Sequence, residues 1–371
     1  MSPSPSSDAA STSRTGAPHP PELASLTLGF VPLLDAALLI IAREGGFFAA
    51  QGVEVSLSRE NAWSTLRDKV AAGLLDGAQM LAPMPLAMSL GLSRAPCDTL
   101  AAAVLSRQGN TLVLSRRLAD AVGASVPSGE PGAFGVASEL ARGLKASLKD
   151  GERPRLAMVY PYSCQHLLLR DWLARGDIDA DREVELVALP PPRMVDALRE
   201  GEIDGFCVGE PWGSLAQHRQ VGRVVASGAE LMPAHPEKVL GVTASWARRY
   251  PNTLAALLRA LQAAALWLDK APEARRQTLA WLALPPYLDE AVGHLDELPL
   301  EAAPGYPCIG ERLRPQTADF EGLIQRLSPL LEARGRQLDA ATLEECYSAV
   351  HYDAATHQYG ADAAGTLAGR R

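Results

Sequence analysis

Residues 190–212, PPPRMVDALREGEIDGFCVGEPW, combine in one run the features expected of a ligand-binding strand end. The three prolines predict a rigid turn after a strand, because proline fixes φ and donates no backbone hydrogen bond. Apolar residues at helical spacing follow, and Gly201 predicts the end of that helix. Residues 203–208 then predict a buried strand that leads directly into Gly-Glu-Pro-Trp. Open α/β sheets bind ligands beyond the carboxyl ends of their strands, so this point is a candidate site. An ordinary turn between elements is the alternative.

The cysteines and the catalytic motifs bear on whether the site does chemistry or only binds. Cysteine pairs at metal-binding spacing are absent from the sequence, and so is a histidine cluster near any cysteine. This predicts buried free thiols in a reducing compartment, with a metal or redox site as the alternative. The sequence also lacks a G-x-S-x-G elbow, a P-loop and a G-x-G-x-x-G run after a strand. It therefore predicts no catalytic residue, no cofactor and no metal. The five cysteines are Cys97, Cys164, Cys207, Cys308 and Cys346.

Length and charge restrict the class of protein. A chain of 371 residues with 47% hydrophobic and 21% charged residues is long enough for two soluble domains. A formal net charge of -8 argues against nucleic acid as a direct ligand. It leaves room for a local positive pocket that binds a small anion.

The amino-terminal segment, residues 1–25, is rich in Ser, Pro and Ala and predicts a disordered tail. A secretory signal needs a basic start followed by an apolar stretch, and neither precedes residue 26. We therefore expect a cytoplasmic protein. A misassigned start codon would instead make it periplasmic.

Strand and helix patterns alternate along most of the chain, which predicts an α/β fold with mostly parallel sheets. One group of strands ends near residue 105 and a second lies between residues 111 and 243, so two lobes are expected. The strands at 99–105 and 111–114 flank Arg-Gln-Gly-Asn, which predicts a chain that changes sheets. We assign 26–106 to lobe I, 107–243 to lobe II, and 244–371 to a helical part of lobe I. Such proteins close on a ligand held between the lobes.

Several long sequence runs resemble the NrtA/CmpA-like nitrate and bicarbonate substrate-binding family of ABC transporters. They are LGFVPLLDAALLIIAREGGFF, WSTLRDK, DGAQMLAPMPLAMSLGL, LLLRDWLARGDID and HPEKVLGVTASWA, together with residues 190–212. The resemblance covers residues 26–269 and weakens beyond residue 305, where CIGERLRPQTADF replaces an aromatic- and histidine-containing stretch. It implies a two-lobed, type II periplasmic-binding-protein-like fold with a ligand cleft between the lobes.

The resemblance further implies a site for a small oxyanion. Trp63 would donate its indole N–H, which cannot act as an acceptor, although a core tryptophan is the alternative. Gln108, at the predicted crossover, would donate its side-chain amide, and a solvated loop residue is its alternative. Backbone of Pro192, Val208 and Gly209 would line the pocket, with the N–H of Gly209 facing the anion.

Lys238 would supply the full positive charge, since charge-assisted hydrogen bonds are about twice as strong as neutral ones. A surface lysine is the alternative. Bicarbonate-binding relatives have an acidic residue here that helps to hold a metal, whereas nitrate-binding relatives have lysine, so Lys238 favours nitrate or nitrite without a metal. Gln165 takes the place of a histidine in the family's S-x-H motif, and His166, one residue later, is expected between the lobes or at the surface. Because glutamine does not titrate, affinity and pH dependence would differ from the family's.

Two roles for this site are implied by the resemblance. The first is a cytoplasmic nitrate/nitrite sensor of the NasS type, which holds an RNA-binding antiterminator of the NasT kind inactive until the anion binds. The missing export signal favours this role. The alternative is a substrate-binding protein, or a binding domain separated from a fused subunit, that works with ABC transporter subunits. An enzyme of the thiaminepyrimidine-synthase type on the same fold is a further alternative.

Overall fold

The computed structural model describes residues 19–92, 94–123, 137–149, 151–270, 272–288, 293 and 307–356. The strands are β1 (Ser25–Phe30), β2 (Glu54–Arg59), β3 (Gly77–Leu81), β4 (Thr99–Arg107), β5 (Asn110–Ser115), β6 (Arg155–Met158), β7 (Glu185–Ala188), β8 (Gly205–Gly209), β9 (Gly222–Ser227), β10 (Pro236–Thr243) and β11 (Cys308–Ile309). They form a six-stranded sheet in the order β11-β4-β10-β3-β1-β2 and a five-stranded sheet in the order β7-β6-β8-β5-β9. The predicted α/β fold with two sheets is confirmed.

Helices cover both sheets. They are α1 (Ala37–Glu44), α2 (Phe47–Ala50), α3 (Trp63–Ala71), α4 (Met84–Ser89), α5 (Arg116–Ala121), α6 (Ala137–Ser147), α7 (Cys164–Arg175), α8 (Met194–Arg199), α9 (Trp212–His218), α10 (Gly228–Leu231), α11 (Ala244–Arg249), α12 (Pro251–Lys270), α13 (Pro272–Leu282), α14 (Glu321–Glu332) and α15 (Ala340–Tyr347). Residues 350–356 are also helical. Within the described ranges, no helix is both long and apolar enough to cross a bilayer.

The sheets are mixed, so the expectation of mostly parallel sheets is wrong. β1 pairs in parallel with β2 and β3, and β6 pairs in parallel with β7 and β8. The remaining pairs, β10 with β3 and β4, β11 with β4, and β5 with β8 and β9, are antiparallel. The βα repeats account for the parallel pairs. In lobe I, the antiparallel pairs arise because β10 and β11 return to the first sheet after the chain has left it. In lobe II, β5 runs opposite to its two neighbours, β8 and β9.

The chain passes from the first sheet to the second between β4 and β5, as predicted. Gln108 and Gly109 make this crossing with positive φ values of 58° and 91°. A Cβ added at Gly109 would lie 2.7 Å from Cβ of Pro307, so this close turn requires glycine. The sharp crossing places the end of β4 and the start of β5 side by side at the junction of the lobes.

The returning strand β10 corrects the predicted boundary at residue 243. β10 lies between β3 and β4 in the first sheet, with Lys238 paired to Leu81 of β3. Residues 236–243 therefore belong to lobe I, and lobe II ends at the crossing that follows β9. A single-strand pattern does not reveal its partners, so the sequence placed β10 with its chain neighbours.

The predicted tail, residues 1–25, is corrected at its end, while residues 1–18 lie outside the described part of the chain. Glu22 accepts hydrogen bonds from the backbone N–H of Asn252 and from the N–H and hydroxyl of Thr253. A carboxylate at this place satisfies backbone donors at the start of α12 and is favoured by the helix dipole. The segment before β1 is thereby attached to lobe I.

The carboxy-terminal region does not pack on lobe I alone. α12 and α13 pack on α1, in agreement with the prediction, whereas α14 packs on α7 of lobe II. We call residues 317–347 the carboxy-terminal strap. Asp319 of the strap lies 2.6 Å from the buried guanidinium of Arg107 in β4, and Arg326 lies 3.2 Å from Asp171 of α7. The strap thus contacts both lobes.

Candidate functional site

Lys238 lies at the centre of the polar cluster between the lobes and is fully buried. Its Nζ is 2.7 Å from Oδ2 of Asp35 and 2.6 Å from Oε1 of Glu237. The same ammonium lies 5.5 Å from the ring centroid of Trp63, within cation–π range. The surface-lysine alternative is therefore wrong. The predicted full positive charge of Lys238 is paired with two carboxylates that the sequence analysis did not identify.

An irregularity in β10 explains why neighbouring residues enter one cluster. In a regular strand, successive side chains point to opposite faces of the sheet. The pairing of β10 with β4 shifts register on both sides of Lys238. Such bulges redirect side chains and are common beside functional sites. The shift brings Glu237 and Lys238 together, so the strand presents an ion pair to the cluster.

Asp35 reaches the cluster from the short 3-10 helix Leu34–Ala36 that follows β1. It pairs with Lys238 and also accepts a hydrogen bond from Nε2 of Gln79 in β3. The backbone N–H of Val31 donates to Oε1 of Gln79 at 3.0 Å, which orients this amide. Burial raises the pKa of Asp35 to about 6, although the charge of Lys238 opposes the rise. Asp35 is therefore the carboxyl of the cluster that takes up a proton near neutral pH.

In Glu237, unlike in Asp35, the neighbouring groups outweigh burial in setting the pKa of the carboxyl. Burial alone would raise the pKa of Glu237, but the charge of Lys238 and the contact with His235 more than offset it and lower the pKa to about 2. Burial likewise opposes the charge of Lys238, while Asp35 and Glu237 raise the pKa of the lysine above its usual value. Glu237 and Lys238 therefore remain ionised at neutral pH.

Lobe II contributes two amides that hold Glu237. Gln165, in the first turn of α7, donates from Nε2 to Oδ1 of Asn110 at 2.6 Å and to Oε1 of Glu237 at 2.7 Å. Asn110, the first residue of β5, donates from Nδ2 to Oε2 of Glu237 at 2.6 Å. All three side chains are fully buried. The carboxylate of lobe I thus joins the two lobes through charge-assisted hydrogen bonds.

Two buried polar atoms of this cluster have no hydrogen-bond partner within the described residues. They are Nε1 of Trp63 and Oε1 of Gln165. The first is only a donor and the second only an acceptor. Buried polar groups in folded proteins are nearly always paired, so these two atoms need an explanation, such as a bound water or ion.

The other predicted site residues are Gly209, Val208, Gln108 and Pro192, and only some of them lie beside the cluster. Gly209 ends β8 opposite Asn110, and a Cβ built there would lie 3.5 Å from Oδ2 of Asp35. Val208 is fully buried in the same strand. Gln108 donates its backbone N–H to the carbonyl of His235, and Pro192 lies half-buried in the 3-10 helix Pro191–Arg193. Within the described ranges, neither of these two side chains joins the hydrogen bonds around Lys238.

The Gly-Glu-Pro-Trp motif connects the lobes. The carbonyl of Glu210 accepts from the N–H of Leu34 at 2.8 Å, and Nε1 of Trp212 donates to the carbonyl of Pro32 at 3.0 Å. The tryptophan of this motif therefore has a structural partner in lobe I. His166 is buried rather than at the surface, and burial lowers its pKa to about 4.

Sequence reasoning missed Asp35, Asn110 and Glu237, and it also missed a group of possible metal ligands. Asp35 and Asn110 each lie beside a strand end, which is the one sequence signal that could have found them. One ligand atom from each of Cys164, His235 and Glu237 lies within 4.8 Å of the others, and all three residues are buried. Cys164 lies far along the chain from His235 and Glu237, which hides this arrangement from spacing rules.

The fold is of the two-lobed, periplasmic-binding-protein type. The crystal structure of the periplasmic nitrate-binding protein NrtA from Synechocystis PCC 6803 matches it with a TM-score of 0.76 at 24% identity, covering 91% of this chain and 90% of NrtA. The alkanesulfonate-binding protein SsuA from Xanthomonas axonopodis bound to MOPS matches with a TM-score of 0.60 at 17% identity, covering 89% and 98%. The desulfurization enzyme DSZB has the same fold, with a TM-score of 0.56 at 17% identity, covering 90% of this chain and 99% of DSZB. The fold alone therefore does not separate binding from catalysis.

The model of the NMT1-like family matches residues 19–283, and the chain belongs to this family. The nitrate import ATP-binding protein NrtC of Synechocystis sp. is 42% identical over 276 residues, which are 74% of this chain and 39% of NrtC. The nitrate/nitrite binding protein NrtA of Synechococcus elongatus is 35% identical over 257 residues, 67% of this chain and 56% of NrtA. The bicarbonate-binding protein CmpA of Synechococcus sp. is 33% identical over 257 residues, 67% and 55%. The resemblance to the nitrate and bicarbonate substrate-binding family is confirmed, while the chain spans only about 39–56% of these relatives' lengths.

Proposed function

We propose that the protein binds a small oxyanion, nitrate or nitrite, in the cluster between its lobes. The observation that carries this proposal is the buried indole N–H of Trp63, which has no partner among the described residues and belongs to the ring that faces Lys238. An unmade hydrogen bond of a buried donor costs about 1–3 kcal/mol. An anionic ligand that accepts a hydrogen bond from this N–H would remove that cost. Its negative charge would also lie near the ammonium of Lys238.

Nitrate and nitrite fit because they accept hydrogen bonds and donate none. The names of the relatives NrtA and NrtC support this ligand class, and Lys238 stands where the resemblance favours nitrate. We propose binding without catalysis, since Glu237 and Asp35 are engaged with Lys238 and the lobe II amides. Bicarbonate is the second candidate, because its hydroxyl could donate to the unpaired Oε1 of Gln165.

Trp63→Phe tests the site with little disturbance of the fold. Phenylalanine keeps the apolar ring and removes the N–H, which makes no protein hydrogen bond to lose. One hydrogen bond to a charged ligand contributes about 1.5–3 kcal/mol, so nitrate affinity should fall by about 10–150-fold. Isothermal titration calorimetry with nitrate, nitrite and bicarbonate measures this directly. Lys238→Glu is unsuitable, because it would place a third buried carboxylate beside Asp35 and Glu237 and destabilise the fold.

Trp246→Phe is the matched control. The Nε1 of Trp246 donates to Oδ1 of Asp76, so this variant loses an indole hydrogen bond outside the cluster. Its nitrate affinity should equal that of the wild type. Wild-type nitrate affinity in Trp63→Phe would contradict the proposed site, and tighter binding of bicarbonate than of nitrate would favour the second candidate.

For the biological role, we propose a cytoplasmic sensor whose ligand releases an RNA-binding antiterminator, and we retain the binding component of an ABC transporter as the alternative. The hydrogen bonds that Glu237 receives from both lobe II amides support a ligand-dependent change between open and closed lobes. A ligand shifts such an equilibrium only by its difference in affinity for the two states. The names of NrtC and of the bicarbonate transport ATP-binding protein CmpC support the transport role.

Co-purification from cells grown with and without nitrate, combined with fractionation and intact mass, distinguishes these roles. A soluble regulatory partner that dissociates when nitrate is added would support the sensor. Capture of membrane transporter subunits, or export with cleavage of the first residues, would support transport instead.

A further inference from the structure

A second group of side chains meets at the carboxylate of Glu237. It consists of Cys164 at the start of α7, His235 before β10, and Glu237 itself, all three buried. Their ligand atoms lie within 4.8 Å of one another. We propose that these three residues bind a divalent transition-metal ion, with Zn²⁺ as the ion that best suits the donors. This site shares Glu237 with the cluster around Lys238, but a metal ion could bind here whether or not the protein has the anion function proposed above.

The hydrogen bonds of His235 require a positive species between its ring and Glu237. Nδ1 of His235 lies 2.6 Å from the carbonyl oxygen of Met232, which can only accept, so Nδ1 carries the proton. The Nε2 atom of a neutral imidazole is then an acceptor. It lies 3.3 Å from Oε2 of Glu237, which is also an acceptor when ionised. Two acceptors this close are stable only with a proton or a metal ion between them.

The arrangement of His235 is the one that metal-binding histidines use. Such residues donate their second ring N–H to a carbonyl or carboxylate, which fixes the ring and its tautomer. The Met232 carbonyl serves this purpose here. Asn110, which donates to Oε2 of Glu237 at 2.6 Å, orients the carboxylate in the same way. Both candidate ligands therefore already have supporting partners.

Cys164 favours a metal over a proton. A proton shared by His235 and Glu237 needs no third group, yet the sulfur of Cys164 is held beside them. Burial raises the pKa of this thiol well above its usual value, so the free protein keeps it protonated. A coordinating metal deprotonates a thiol, and the helix start at Cys164 stabilises a thiolate. Sulfur, imidazole and carboxylate together suit Zn²⁺, whereas Ca²⁺ and Mg²⁺ prefer oxygen ligands.

The site would connect the lobes, because Cys164 belongs to α7 of lobe II and Glu237 to β10 of lobe I. Glu237 also pairs with Lys238. A metal ion bound to Oε2 would partly neutralise the negative charge of Glu237. The positive charge of Lys238 would then be less compensated, and it would attract an anion more strongly. Metal binding should therefore favour the closed arrangement of the lobes.

The test is a titration of the purified full-length chain with Zn²⁺ against a chromophoric chelator, repeated with Co²⁺. We expect one saturable metal per chain and a Co²⁺ spectrum with a thiolate charge-transfer band. Loss of a supporting outer-shell partner typically costs about 10–100-fold in metal affinity, so Cys164→Ser and His235→Gln should each cost at least this much. Thermal unfolding of each variant establishes that it folds.

Cys207→Ser and His166→Gln are matched controls, since both residues are buried but lie outside the three-residue group. They should keep wild-type metal affinity. The proposal is overturned if the wild type shows no saturable Zn²⁺ binding, or if Co²⁺ binds without the thiolate band. Equal affinities in Cys164→Ser and the wild type would overturn it as well. The Co²⁺ spectrum of the wild type decides the question even if Cys164→Ser does not fold.

Discussion

Replacing Asp35 by Asn should strengthen anion binding and remove its pH dependence. At neutral pH the cluster contains the ammonium of Lys238 and the carboxylates of Asp35 and Glu237, so an added anion meets a net negative charge when both carboxylates are ionised. A unit charge about 5 Å from the anion, at an effective dielectric constant of about 20, contributes about 3 kcal/mol. Asp35→Asn should therefore tighten nitrate binding by about a hundredfold at pH 8.

The sign of the pH dependence follows from the pKa of Asp35. Burial raises this pKa to about 6, and a bound anion beside it raises it further, because the anion favours the protonated form. Nitrate should therefore bind together with a proton at pH values above about 6. Affinity in the wild type should increase as the pH falls from 8 to about 6 and level off below it. Asp35→Asn should bind with the same affinity throughout.

Calorimetry in buffers with different ionisation enthalpies counts the protons taken up with nitrate. Asp171→Asn is the matched control, because Asp171 pairs with Arg175 and Arg326 rather than with Lys238. This control should retain the proton uptake of the wild type. The reasoning is refuted if Asp35→Asn binds nitrate more weakly at every pH and the wild type takes up no proton. In that case Asp35 only positions Lys238.

Three further substitutions test the junction of the lobes by chemical unfolding. Burial raises the pKa of Glu210 to about 7, so the free energy of unfolding of the wild type should fall as the pH rises through this value. Glu210→Gln should therefore be more stable than the wild type by up to about 3 kcal/mol at pH 8.5, but not at pH 4.5. Equal dependence of the unfolding free energy on pH in the two proteins would contradict this. Gly213→Ala would place Cβ 1.9 Å from Oγ1 of Thr111 and should lower the free energy of unfolding by about 3 kcal/mol or more. If this variant were as stable as the wild type, α9 would have to shift on β5 without cost. Asp319→Asn removes the counterion of the buried Arg107 and should lower the free energy of unfolding by about 3 kcal/mol. A loss below about 1 kcal/mol would show that this ion pair between the strap and lobe I contributes little to stability.

Much of the fold follows from local patterns in the sequence. Alternating strand and helix patterns predicted the α/β class, and the Gly109 turn predicted the crossing between the sheets. The place of β10 could not be predicted, because its partners β3 and β4 are distant in the chain and a strand pattern does not name its neighbours. For the same reason, the packing of α14 on lobe II could not be predicted from the sequence.

The cluster was predictable only in part. Trp63, Gln165, Gly209 and Lys238 lie near one another at the junction of the lobes, and their role in binding an anion stays a prediction. The counter-charge on Lys238 was not foreseen, because alternation in a regular strand would direct Glu237 to the opposite face. The register shift in β10 depends on how β4 fits against it. A local rule applied to one strand cannot supply that information.

The central position of β10 has a consequence for how the chain is made. Lobe I cannot complete its sheet until residues 236–243 have been synthesised, long after β3 and β4 have emerged. Until then, the facing edges of β3 and β4 present unpaired backbone groups, which are prone to pair with other chains. Contacts between such distant segments slow folding, so lobe II has time to form first. The strand that joins β3 to β4 in the first sheet carries Glu237 and Lys238. The cluster around Lys238 would therefore form only after β10 has been inserted between these two strands.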